Sequence, residues 1–152
     1  MAQIQVVCVE WVDGTIRRAT KGLAWLKVSP KNDEYRAKEV FENAGDGAQT
    51  DLMNRFQFWL DGFHHKKYFH RWDENEYKDV FIFKHQESRF FGFLCHPDPF
   101  NKRLEVCVLA SYVEKTEWEA DNREKNKMTA LRDNLLVRKA LADIKDNCEE
   151  RR

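Results

Sequence analysis

"DVFIFKHQESRFFGFLCHPDPFNKRLEVCVLASYV", residues 79–113, contains three apolar extended runs separated by two short breaks. "KHQES" parts the first two runs and "HPDPFNK" the last two, and Pro97 and Pro99 exclude regular structure from the second break. Connections this short join antiparallel neighbours, because a parallel crossover needs a dozen or more residues. The stretch therefore predicts a meander of three antiparallel strands.

Working upstream, "QIQVVCVEWV" reads as a strand, Asp13-Gly14 as a hairpin turn, "TIRRAT" as its return strand and "LAWLKV" as a further short strand. Ser29 is expected to cap a helix with Pro30 at its first position, and Ala37, Val40, Phe41 and Ala44 fall on one side of that helix. A second helix is expected from Ala48 to Phe63, with Leu52, Met53, Phe56, Trp59, Leu60 and Phe63 on one broad apolar face. Gly62 closes it, and "FHHKKYFHRW" leads into the meander.

Downstream, residues 118–147 have continuous helical composition. Met128, Leu131 and Leu135 point one way around the wheel, while Val137, Leu141 and Ile144 point nearly opposite. Either the helix breaks near Asn134, or the second stripe packs on another molecule, or a few apolar residues simply stay exposed. The partner reading makes Val137, Leu141 and Ile144 a protein-binding seam, open to a homo-oligomer through the C-terminal helix.

The expected fold is α+β: a small antiparallel-rich β-sheet with two helices from the N-terminal half packed on it, a C-terminal helix and an N-terminal β-hairpin. No repeat or Ser/Gly-rich linker divides the 152 residues, so one domain is expected over 1–152. Within it, 1–22 is an added hairpin, 23–134 a core and 135–152 a helical tail. No apolar stretch approaches the length that spans a bilayer, and no secretory leader pattern opens the chain. Cys8, Cys95, Cys107 and Cys148 lack any C-x-x-C pair, and three of them lie in or beside apolar runs, as buried thiols in a reducing compartment do. A cytoplasmic protein without membrane contact is expected. Lys plus Arg and Asp plus Glu both number 26, so no net field draws the molecule to nucleic acid, and an anionic partner must meet a local patch.

The five histidines and four cysteines fit no zinc spacing, and neither a nucleophile elbow nor a phosphate loop is present. No metal or cofactor is implied. What remains is a basic and aromatic set: "HHKKYFHR" at residues 64–71, Lys84 and His85 ending one strand, Arg89 opening the next, and Tyr112 with Lys115 where the last strand meets its helix. Such groups neutralise phosphate and stack on bases, which suits single-stranded RNA. If the ribose 2′-hydroxyl attacks its own phosphate, a base, an acid and cations suffice. Lys84, Arg89, Tyr112, Lys115 and His70 are the candidates for that chemistry, with His65, Lys66, Lys67, Arg71 and His85 binding RNA. Each such cation is, taken singly, more often a solvated charge that protects a sheet edge.

In its order of elements, in "DVFIFKHQESRFFGFL" and in the joint Tyr112-Val113-Glu114-Lys115-Thr116, the chain resembles the RelE/HigB family of ribosome-associated mRNA interferases, in particular its phage-derived HigB-like branch. That branch carries a Phe-Val-Lys-Lys-Thr joint before its last helix; here Glu114 stands at its first lysine. The resemblance implies a RelE-like fold and a type II toxin that cleaves mRNA on the ribosome without metal, under control of a cognate antitoxin protein. By it, Lys84 and Arg89 would hold phosphate while Tyr112 and Lys115 line the substrate groove. The competing expectation is a non-catalytic interaction module of phage or mobile-element origin, working through the Val137, Leu141, Ile144 stripe. A third, a metal-dependent enzyme, would require activity that a chelator removes.

Overall fold

In the computed structural model, residues 6–72, 74–98, 100, 102–114 and 118–150 are described, with the backbone alone for 118–121 and 145–150. Six strands form one sheet: β1 (Val6–Trp11), β2 (Lys21–Ser29), β3 (Phe69–Arg71), β4 (Val80–His85), β5 (Ser88–Cys95) and β6 (Glu105–Glu114). Their spatial order is β1-β2-β6-β5-β4-β3, antiparallel throughout except for the parallel pair β2 and β6. The meander occupies β4 to β6 as its loops require. Helices α1 (Ala37–Asn43) and α2 (Asp46–Leu60) carry the chain from β2 to the far edge, so the returning meander ends beside β2 in the same direction. Helices α3 (Trp118–Asp133) and α4 (Leu135–Glu150) complete the α+β fold.

The sheet is covered on both faces, which is why its strands are apolar almost without interruption. Alternation sends Leu23, Trp25, Phe81, Phe83, Phe90 and Leu109 toward α1 and α2, where Phe56 meets Phe83 edge-on with ring centres 4.9 Å apart. It sends Leu26, Ile82, Phe91, Phe93, Val106 and Val108 toward α3 and α4, which contribute Met128, Leu131, Val137, Leu141 and Ile144.

That second layer corrects the reading of the C-terminal stripe. Val137, Leu141 and Ile144 are buried in the chain's own core, so they are not a free seam for a partner or a second copy. The helix breaks at Asn134, whose Oδ1 accepts from Leu136 N at 2.8 Å and Val137 N at 3.3 Å. This is an N-cap, and it re-aims the helix so that Val137, Leu141 and Ile144 meet the same sheet face as Met128 and Leu131, while Leu135 stays exposed.

The N-terminal pairing also differs in detail. "TIRRAT" is not a strand; β1 pairs directly with β2, from Val6↔Ser29 to Trp11↔Ala24, and so extends the sheet as an edge strand. Residues 15–20 instead dock on the end of α2. Gln57 exchanges hydrogen bonds with the backbone of Ile16, and Arg18 Nε lies 2.7 Å from Asp61 Oδ1. Ser29 ends β2 rather than capping a helix; Asn32 caps a single 3-10 turn, and α1 follows at Ala37. Helix α2 ends at Leu60, which leaves Phe63 outside it and exposed. Of the cysteines, Cys107 is buried and Cys95 half-buried, with burial pushing the Cys95 thiol up to about 12, whereas Cys8 is exposed. The Cys148 side chain lies outside the described residues.

The hydrogen bonds from Arg18 and Gln57 hold the Asp61 carboxyl below its usual range. A lowered folded value means the unfolded chain takes up the proton first as pH falls. The stabilisation is therefore present above the ordinary carboxylate range and lost as pH drops below it. Urea unfolding at descending pH should show that loss, and Asp61→Asn should make the acid slope shallower.

Gly92 sits at the one irregularity in the β5 and β6 pairing, where the register shifts between Phe91 and Gly92. A Cβ there would lie 2.3 Å from the Val108 carbonyl oxygen, which is backbone and cannot rotate away. Gly92→Ala is expected to cost about 3 kcal/mol or more, read as a lowered urea midpoint. Gly47→Ala, in helix α2 with nothing near the added carbon, is the control and should stabilise by about 0.5 kcal/mol.

Candidate nucleic-acid interface

Strands β4 and β5 turn into one another through Gln86 and Glu87, with Gln86 in the left-handed region at φ 52°. The register makes His85 face Ser88 and Lys84 face Arg89 across the hairpin. Two cations thus stand directly opposite on neighbouring strands, an arrangement that is destabilising unless the charges are met. Here they are met by carbonyls: Lys84 Nζ donates to Lys66 O at 2.6 Å, and Arg89 Nη1 donates to Gln86 O at 2.6 Å and Ser88 O at 2.9 Å.

The end of β6 lies alongside. Phe90 faces Tyr112 and Arg89 faces Val113. The Tyr112 hydroxyl is 3.3 Å from Ser88 Oγ, its ring packs on Phe90 at 5.1 Å, and the Arg36 guanidinium carbon is 5.8 Å from its centre. Tyr112 is therefore both a packed plug and a hydroxyl fixed at the strand end. Lys115 lies outside the described residues.

The cations and Tyr112 do not stand on one face of the sheet. Alternation sets Lys84 and Arg89 on the α3 and α4 side, level with Ile82 and Phe91, and Tyr112, Ser88 and His85 on the α1 and α2 side, level with Phe83 and Phe90. The groups share an end of the sheet and flank it from two faces. His85, expected to bind RNA, has a side chain only 8% exposed, and its Nε2 lies 3.0 Å from Asp51 Oδ2; it locks the hairpin to α2.

The basic segment 64–71 divides. Near the strand end, His65 stacks on Tyr68 at 3.7 Å and 4°, the Arg55 guanidinium carbon lies 4.1 Å from the Tyr68 ring centre, and Arg55 Nη1 donates to the Lys84 carbonyl. At the opposite end of the strands, beside the start of β4, the end of β5 and the start of β6, a cavity of about 740 Å³ takes in His64, His65, Lys66, His70 and Arg71. His70 faces Ile82 across β3 and β4, its Nδ1 3.2 Å from the Arg71 carbonyl and its ring 4.8 Å from Trp72. Arg71 donates through Nε and Nη2 to Lys78 O. Lys67 is exposed. Among the described residues no three His, Cys, Asp or Glu side chains are grouped to share a metal ion.

Arg36, Arg55 and Asp51 at the strand end, and Lys21 and Glu105 in the cavity, had no signal in the sequence beyond their charge. Asp51 and Arg55 flank the apolar face of α2 one turn apart, but nothing local says which strand that turn meets.

Compared with family models, curated proteins and solved structures, the chain finds no match. The functional reading is built on the geometry of the strand end and the motif resemblance.

Proposed function

We propose that the chain binds single-stranded RNA at the Lys84 and Arg89 end of the sheet and cleaves it without a metal, as the toxin of a toxin–antitoxin pair. The observation that carries this reading is the cross-strand pair of like charges. Two cations held opposite one another at the end of a hairpin concentrate positive charge there, which favours an anion placed against them.

In the proposed reaction the ribose 2′-oxygen attacks the adjacent phosphorus, the bond to the 5′-oxygen breaks, and the products end in a 2′,3′-cyclic phosphate and a 5′-hydroxyl. Arg89 and Lys84 neutralise the charge that builds on the phosphoryl oxygens. The 2′-hydroxyl proton passes to solvent water, and the Tyr112 hydroxyl, 3.3 Å from Ser88 Oγ, gives its proton to the departing 5′-oxygen and regains one from solvent. Since cations and hydroxyl lie on opposite faces, the RNA strand bends around the end of β5, and Arg55 with Tyr68 and His65 offers a stacked platform beside Lys84. Messenger RNA on the ribosome as substrate, a cognate antitoxin as partner and a cytoplasmic setting follow from the resemblance to the RelE/HigB family. The interaction-module reading has lost the exposed stripe on which it stood.

The test is incubation of the purified chain with unstructured RNA in the presence of a chelator. Fragments ending in cyclic phosphate, and growth arrest on induction in a bacterial host, are expected; intact RNA together with harmless induction would overturn the reading.

A further inference from the structure

The cavity at the far end of the strands has a floor and a rim of different chemistry. Its floor is buried and largely aromatic, formed by Trp59, Phe69 and Phe81 with Leu94, and the exposed ring of Phe63 stands at the mouth. Among the described residues three cations border it, Lys21, Lys66 and Arg71, the last also 3.7 Å from Asp79 Oδ1, and one lining carboxylate, Glu105. Lys21 is fixed: its Nζ donates to the Trp59 carbonyl at 3.2 Å and sits 4.6 Å over the Trp59 ring, with Glu105 facing it across β2 and β6. Burial lowers the pKa of that ammonium, and Glu105 opposes the shift.

The volume of about 740 Å³ lies within the range of roughly 300–1,000 Å³ typical of small-molecule sites, which combine an apolar lining with a few placed polar groups. A bare inorganic anion would leave the aromatic floor wet, and an uncharged ring would leave the cationic rim unmatched. A flat ring carrying a phosphate satisfies both, the ring between aromatic side chains and the phosphate on the cations. Glu105 is then an acceptor for a sugar hydroxyl or a ring amine.

We propose that this cavity is a binding site for a nucleoside monophosphate, distinct from the Arg89 end of the sheet although His65 and Lys66 border both. Calorimetric titration of the full chain with the four common ribonucleoside monophosphates, the parent nucleosides and inorganic phosphate tests it. At least one nucleotide should saturate, with its nucleoside and inorganic phosphate each at least about tenfold weaker. Lys66→Ala, at the exposed rim, and Lys21→Met, which retains the apolar stem, should each weaken the nucleotide about tenfold, while Arg89→Ala leaves its affinity unchanged. No saturation by any nucleotide at millimolar concentration, or equal binding of inorganic phosphate, would overturn the site. So would affinity that ignores both lysine changes or follows Arg89 instead.

Discussion

Arg89→Ala is expected to lower the single-turnover rate of RNA cleavage by about a hundred- to a thousandfold, the scale on which one preorganised charge-stabilising donor contributes. The same change should leave folding nearly untouched. Removing Arg89 deletes a like-charge neighbour of Lys84 and, in compensation, two hydrogen bonds to turn carbonyls, each effect being worth about 1 kcal/mol or less. Arg89→Lys retains the charge without the planar fork and should fall between the two rates. Tyr112→Phe keeps the ring on Phe90 and removes only the hydroxyl 3.3 Å from Ser88, so it isolates proton transfer, with an expected loss of about a hundredfold. Cleavage measured alongside a urea midpoint for each variant separates loss of chemistry from loss of fold; Arg89→Ala at full rate with an unchanged midpoint would remove the cation from the mechanism.

Val137→Asp carries the largest expected effect on stability. Val137 is fully buried in α4 against the sheet face that holds Leu26 and Val108, in an apolar cluster. An unpaired charge at such a position costs about 4 kcal/mol or more, a large part of the stability of a domain this size, so the variant should be recovered unfolded or aggregated. Val137→Ala should cost only about 1–2 kcal/mol and stay folded. A Val137→Asp chain with an unchanged unfolding midpoint would return the stripe to the surface and restore the interaction-module reading. Size-exclusion chromatography and urea unfolding of both variants decide the matter.

Much of the fold was readable along the chain because it rests on short-range signals. The meander follows from two brief breaks and two prolines, and α2 from an apolar face at helical spacing. "TIRRAT" was misleading because Thr and Ile favour strands wherever they occur, whereas the partner of β1 is set by the long apolar segment of β2 beyond it. The break at Asn134 is one of the alternatives on the helical wheel, but choosing it needs the far side of the sheet, which includes Val9, Ala24 and Leu26 more than a hundred positions earlier. For the site, the facing of Lys84 and Arg89 follows from the hairpin alone. Which faces they and Tyr112 occupy depends on register across three strands and on the irregularity at Gly92, and the division of 64–71 between two ends depends on where α2 stops.

The parallel pairing of β2 with β6 has a consequence for how the chain acquires its shape. Lys21 must find Glu105 and Trp25 must find Leu109, so the middle of the sheet joins segments that leave the ribosome far apart in time. Until α3 and α4 arrive, the face of β4 and β5 that carries Ile82, Phe91 and Phe93 has no lid, and α4 packs in the same core as Val9 and Leu26. Long-range closure of this kind slows folding and lengthens exposure of sticky surface. Chains released before the final helix would therefore be the aggregation-prone species, and chaperone demand should track translation of the C-terminal third.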